Sequence, residues 1–138
     1  MGYRTNLDQA RHNKELCEYL LKDGNFNDWV ITTAFYSSLH FVLYKAFECE
    51  EGLKKKYKDF EDYYMKNNFK EYRLSKHAAI KNIAFECLGI EISAEYQNLM
   101  DKCHTARYRN KKTHKNEADH AYATLKMIEE ACVSPKKK

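Results

Sequence analysis

Trp29-Val30-Ile31-Thr32-Thr33-Ala34-Phe35-Tyr36-Ser37-Ser38-Leu39-His40-Phe41-Val42-Leu43-Tyr44-Lys45-Ala46-Phe47 is the most apolar run of the chain. Trp29/Val30, Thr33/Ala34, Ser37, His40/Phe41, Tyr44 and Phe47 recur every three or four residues, the period of an α-helix with a buried face. Asn27 or Asp28 is suited to cap its start, and Gly52 marks the latest point at which it ends. The apolar band is wide, so this helix is expected at the centre of the fold. Thr32, Thr33, Ser37, Ser38, His40 and Lys45 interrupt the run, which excludes a membrane span.

Outward from this helix, the chain lacks the punctuation of a β protein. Its 138 residues contain four Gly and one Pro, and that proline is Pro135 in the basic tail. A sandwich or barrel needs many more turn residues, so an all-α fold follows. The length fits one domain, residues 1–133, with residues 134–138 a disordered basic tail. Asn6 is read as the cap of a first helix carrying Leu7, Ala10, Lys14, Cys17 and Leu20/Leu21, stopped by Gly24. After the central helix, Leu53, Tyr57, Phe60 and Tyr64 keep a narrow stripe through a charged segment, a peripheral excursion over residues 53–72. Ser75 caps a helix that Gly89 closes, Ser93 opens another through Tyr96, Leu99, Cys103 and Ala106, and Asn116 opens the last. The expected architecture is an antiparallel up-and-down bundle of about five helices with no sheet.

Cys17, Cys49, Cys87, Cys103 and Cys132 are odd in number and include no Cys-x-x-Cys pair, so they are read as reduced thiols rather than a disulfide framework or zinc ribbon. Cys103-His104 with His114 and His120 has no regular ligand spacing, and no metal or cofactor is assigned. Met1-Gly2-Tyr3-Arg4-Thr5-Asn6 has no apolar signal core behind it, and a cytoplasmic location is expected.

The chemistry-bearing stretch is Ala106-Arg107-Tyr108-Arg109-Asn110-Lys111-Lys112-Thr113-His114-Lys115. From Lys102 to Lys115 there are six cationic side chains and no acidic one, against a net charge of +4 for the chain, a local density that favours a nucleic-acid backbone. Arg109 can hold a phosphodiester by charge-assisted hydrogen bonds, and His114 titrates near neutrality and can move a proton. Five positions apart on one helix, the two would be rotated by about 140° from each other. They need a helix end to converge, or a continued helix across which a second subunit completes the site. The apolar stripe stops at Ala106, and no large apolar residue follows until after Asn116, so a junction is expected here. Arg107 with His114 forms a second pairing at longer spacing; Asn110, which can orient a guanidinium, favours Arg109. Arg107, Lys111, Lys112 and Lys115 are read as contacts for a nucleic-acid backbone. Tyr108 is suited either to base stacking or to packing on a neighbouring helix.

This Arg-x4-His motif, Arg109-Asn110-Lys111-Lys112-Thr113-His114, near the final junction of a small helical bundle resembles the HEPN domain family. Ala34-Phe35-Tyr36-Ser37-Ser38-Leu39-His40 is similar to the aromatic-small-small stretch of the family's long helix, and Ser75-Lys76-His77 to the entry of its third. The similarity covers residues 7–132.

The resemblance implies a metal-independent endoribonuclease working as a homodimer, with two motifs meeting at the dimer cleft. A ribose 2′-hydroxyl would attack the adjacent phosphorus, His114 acting as base or leaving-group acid, with Arg109 on the non-bridging oxygens and Asn110 supporting it. It also implies a setting in defence or in a toxin–antitoxin pair. Some relatives are toxins controlled by a small nucleotidyltransferase antitoxin that modifies a Tyr two residues after the motif His; this chain has Asn116 there, against that mode of control. Other relatives do not cleave, which keeps open a module that binds nucleotide, RNA or a protein partner.

Overall fold

The central helix is buried on nearly its whole circumference. In the computed structural model, which describes residues 5–67, 75–108 and 112–133, it runs over α2 (Asn27–Phe47). Val30, Ala34, Phe41, Val42 and Ala46 are all fully buried. Apart from residues at its two ends, what is not fully buried is a narrow stripe of Trp29, Thr33, Tyr36, His40 and Tyr44, spaced three or four apart. Trp29, Thr33, His40 and Tyr44, four of the nine periodic positions read from the sequence, thus lie on the outer stripe, and Trp29 is 49 % exposed. A band this wide satisfies a helical period on either side, so periodicity alone could not choose between Trp29 and Val30.

Around α2 stand α1 (Asn6–Asp23), α3 (Phe60–Lys66), α4 (Lys76–Leu88), α5 (Ile90–Tyr108) and α6 (Lys115–Val133). The chain is an all-helical bundle with no strand among the described residues. Six helices are described where about five were expected; the additional one, α3, is one short element of the excursion. α2 packs against α1, α4, α5 and α6. α1 and α2 form an antiparallel pair: Cys17 Sγ reaches Val30 O at 3.5 Å, Ser37 Oγ donates to Ala10 O at 2.7 Å, and His40 Nδ1 donates to Asn6 Oδ1 at 3.0 Å. α6 runs antiparallel to α1, with Lys14 Nζ 2.7 Å from Glu129 Oε1 and Tyr122 donating to Glu18 one turn away. The buried stripe of α6 is Ala118, Ala121, Leu125, Ile128 and Cys132.

Several helix ends are offset from the positions the sequence suggests. Thr5, not Asn6, caps α1, its hydroxyl accepting the Asp8 N–H at 3.0 Å. Asn6 instead donates backbone and side-chain N–H groups to Glu48 Oε2, both at 3.0 Å. α2 starts at Asn27 without a side-chain cap, because Phe26 occupies the cap position and has no acceptor; Asn27 Nδ2 donates to Thr113 O at 3.3 Å. α5 begins at Ile90 rather than Ser93, which is buried with its hydroxyl on Ile90 O. Ser75 does cap α4, accepting the Ala78 N–H at 3.1 Å. Gly24 and Gly89 end α1 and α4 at φ 85° and 93°, conformations that disfavour a side chain.

The excursion is anchored at two points. Leu53 is buried, and Tyr63 on α3 packs edge-on to Tyr57 and Phe47 with ring centroids 5.0 and 6.5 Å apart. Burial, with Glu86 nearby, pushes the Tyr63 phenol up to about 12. Cys17, Cys103 and Cys132 are buried, Cys49 and Cys87 partly so, and all five are free. No helix among the described residues is long and apolar enough to cross a membrane. The tail 134–138 and residues 68–74, which include the end of the excursion, lie outside the described residues.

Candidate nucleic-acid interface

The chemistry-bearing stretch falls at a helix junction. α5 continues one residue past Arg107 to Tyr108, and α6 begins at Lys115. Arg109, Asn110 and Lys111 lie outside the described residues. Lys112, Thr113 and His114 form the described part of the connection, none of it helical.

His114 stands at the cap position of α6. Its carbonyl accepts the N–H groups of Glu117 and Ala118 at 3.1 and 3.2 Å, and its own N–H donates to Glu117 Oε1 at 2.9 Å. That last bond is the reciprocal half of a capping box, in which the third helical residue reaches back to the cap. The expectation that Asn116 caps this helix is therefore corrected by two positions: Glu117 reaches His114. The consequence for the site is a pinned backbone under an exposed imidazole. Asn27 on Thr113 O fixes the same connection to the start of α2.

The cations around it differ in how freely they can take an external anion. Lys112 is exposed. Lys115 is paired with Asp119 one turn along α6, Nζ to Oδ1 3.0 Å, which leaves it less free than Lys112 to take an external anion. Lys102 lines a small cavity of about 190 Å³ between α5 and the junction, together with Asp101, Thr113 and Glu117. Two large aromatics the sequence reading did not assign to the site stand at this end. Phe26 and Trp29, 46 % and 49 % exposed, flank the Asn27 that bonds Thr113.

Arg107 is engaged on another side of α5. Its Nη1 donates to Tyr36 Oη at 3.3 Å, and its guanidinium lies over the Tyr108 ring at 5.3 Å. No carboxylate among the described residues pairs with it. Tyr108 is 67 % exposed and touches its own helix, with the His104 ring 5.1 Å away, rather than packing on a neighbouring one. His77, expected as part of the α4 entry, is exposed and sets its ring edge-on to Phe35 at 5.5 Å. Phe35, Tyr36, His77, His104, Arg107 and Tyr108 all line one cavity of about 300 Å³. Nothing in the sequence signals this grouping, because it joins the outer stripe of α2 to positions 71 residues away.

Beneath it, Tyr96 is fully buried and its hydroxyl has no hydrogen-bond partner among the described residues. Burial, then the nearby Tyr36 and Cys103, holds that phenol far above its usual range, so it stays neutral. Burial also raises the Cys103 thiol, with Thr32 and Arg107 opposing, which makes it unreactive. His40, partly buried and hydrogen-bonded to Asn6, is held below the usual imidazole range by burial, with Glu48 opposing. No cluster of three metal-ligating side chains occurs among the described residues. Comparison with family models, with curated proteins and with solved structures finds no match to the chain.

Proposed function

We propose that this chain is a HEPN-type, metal-independent endoribonuclease whose working unit is a homodimer, with Arg109 and His114 of both copies facing one cleft. The observation that carries the reading is His114, an exposed imidazole at the α6 cap whose backbone is fixed by Glu117, within a stretch rich in cations. Cleavage starts when the ribose 2′-hydroxyl gives up its proton and its oxygen attacks the adjacent phosphorus. The P–O5′ bond breaks, leaving a 2′,3′-cyclic phosphate and a 5′-hydroxyl. His114 takes the first proton or supplies the one the leaving oxygen needs. Arg109 stabilises the charge that grows on the non-bridging oxygens, supported by Asn110. Arg107 is already directed at Tyr36, which supports Arg109 as the motif arginine. Lys112 and Lys111 attract the backbone, and Phe26, Trp29 and Tyr108 offer exposed rings to unpaired bases. The setting we assign is a defence or toxin–antitoxin system, with a cognate antitoxin acting by a route other than tyrosine modification at position 116.

The test compares RNA, DNA of the same sequence, and RNA with one 2′-deoxy nucleotide at the cleaved position, all in chelator. RNA is expected to be cut to cyclic-phosphate ends, with the other two intact at that position. Cleavage of the deoxy-substituted bond, or loss of activity in chelator alone, overturns this chemistry. A second reading, a module that binds RNA or nucleotide without cleaving, is favoured by one observation: Arg107 lines an aromatic cavity rather than turning to His114. It predicts binding with intact RNA.

A further inference from the structure

The cavity between α2, α4 and α5 has a chemistry of its own. Its walls are rings: Phe35 and Tyr36 from α2, His77 from α4, His104 and Tyr108 from α5. Phe35 and Tyr36 meet edge-on at 5.1 Å, and His77 closes on both, at 5.5 and 6.4 Å. Set at angles to one another, these rings offer polarizable faces and edges to a planar aromatic ligand. One cation stands at the mouth. Arg107 spends one donor on Tyr36 at 3.3 Å, and a guanidinium has five, so the rest of its fork is available to an anion. Asp101 also lines the cavity; one of its oxygens accepts Gln97 Nε2 at 2.9 Å, and the carboxylate is an acceptor suited to a base N–H group. The volume, about 300 Å³, lies at the lower end of small-ligand sites.

A planar ring system, an anion one sugar away and an N–H edge together describe a nucleoside phosphate. We propose that this cavity takes one unpaired nucleobase of an RNA strand, stacked among Tyr36, His104 and Tyr108, with its phosphate on Arg107. The proposal deepens the ribonuclease reading and rests on it for RNA as the source of the nucleotide. Tyr36 is a positioning residue whose hydroxyl holds the guanidinium at the mouth. The site makes single-stranded RNA the substrate class, since a base within a duplex cannot enter the cavity.

The experiment is calorimetric titration of the full chain carrying His114→Ala, so that RNA stays whole, with the four nucleoside 5′-monophosphates, ribose 5-phosphate, and a trinucleotide of the best-bound base. Ribose 5-phosphate is expected to bind roughly five- to a hundredfold more weakly than the best monophosphate, the range of a lost stacking contact. Adding Arg107→Gln weakens the monophosphate about tenfold or more, the loss of a charge-assisted bond. Tyr36→Phe, which keeps the ring, weakens it less, and serves if the arginine variant fails to fold. The trinucleotide binds more tightly than the monophosphate. Ribose 5-phosphate binding as tightly as every nucleotide, or folded variants binding as wild type, overturns the proposal. So does a trinucleotide that gains nothing, which would assign the cavity to free mononucleotides. If wild-type protein leaves RNA uncut while these titrations behave as expected, the cavity stands and the nuclease reading fails. If RNA is cut and no nucleotide binds up to about 10 mM, the cavity proposal fails alone.

Discussion

The α1–α2–α6 side and the α5 end treat their polar groups in opposite ways. Between α1, α2 and α6 several polar side chains are answered from within the protein, Lys14 by Glu129, Ser37 by Ala10 O, His40 by Asn6 and Asn6 by Glu48, while the buried Ser38 hydroxyl has no partner among the described residues. At the α5 end, Arg107 has a phenol but no carboxylate among the described residues, and His77, His104, Lys112 and His114 are exposed. Phe26, Trp29 and Tyr108 are exposed rings near these groups. Satisfied groups hold a fold and leave little for a ligand. Unsatisfied cations beside exposed rings are what a nucleic-acid strand requires.

That contrast is broken if substitutions on the first side change function without stability, or the reverse on the second. The largest effect is expected at Leu125, fully buried on α6. Leu125→Ala should lower unfolding free energy by about 2–5 kcal/mol in urea denaturation, through lost transfer energy and a residual cavity. Next is Gly52, where an added Cβ would collide with the carbonyls of Lys45 and Ala46. Gly52→Ala should cost about 1–3 kcal/mol in the same measurement, as overpacking does. Ser75→Ala removes the α4 cap at the edge of the aromatic cavity, and should cost about 1 kcal/mol. It sharpens the comparison, since stability should fall with the Arg107–Tyr36 contact left in place.

The smallest effect is a pH dependence at His40. Burial holds its folded-state pKa below the unfolded value, with Glu48 opposing. The folded protein therefore binds fewer protons at this site than the unfolded chain. The stability tied to neutral His40 is fully present above the unfolded pKa of about 6.5 and is lost as pH falls from there through the folded value. His40→Gln should flatten the melting temperature against pH in that window.

Legibility in the sequence follows the same divide. Helices bounded by local chemistry were readable: Gly24 and Gly89 end α1 and α4, and Ser75 starts α4. The α1 cap was displaced because Asn6 bonds across the fold, to Glu48 and His40, and a cap rule sees only the next few residues. The helix junction beneath His114 was readable from the loss of apolar residues after Ala106. The role of Arg107 was not: its partner Tyr36 lies 71 residues earlier, on an outer stripe that periodicity could not separate from the buried face. Arg109, Asn110 and Lys111 fall outside the described residues.

The most direct measurement is the rate at which the wild-type chain and His114→Ala cut single-stranded RNA in chelator, with the melting temperature of each recorded. The wild type is expected to cut, and the variant to be slower by about a hundredfold or more at an unchanged melting temperature, the loss of a general acid–base group. Intact RNA with the wild type, or equal cutting by both proteins, would contradict the assignment of this helix junction as a catalytic site.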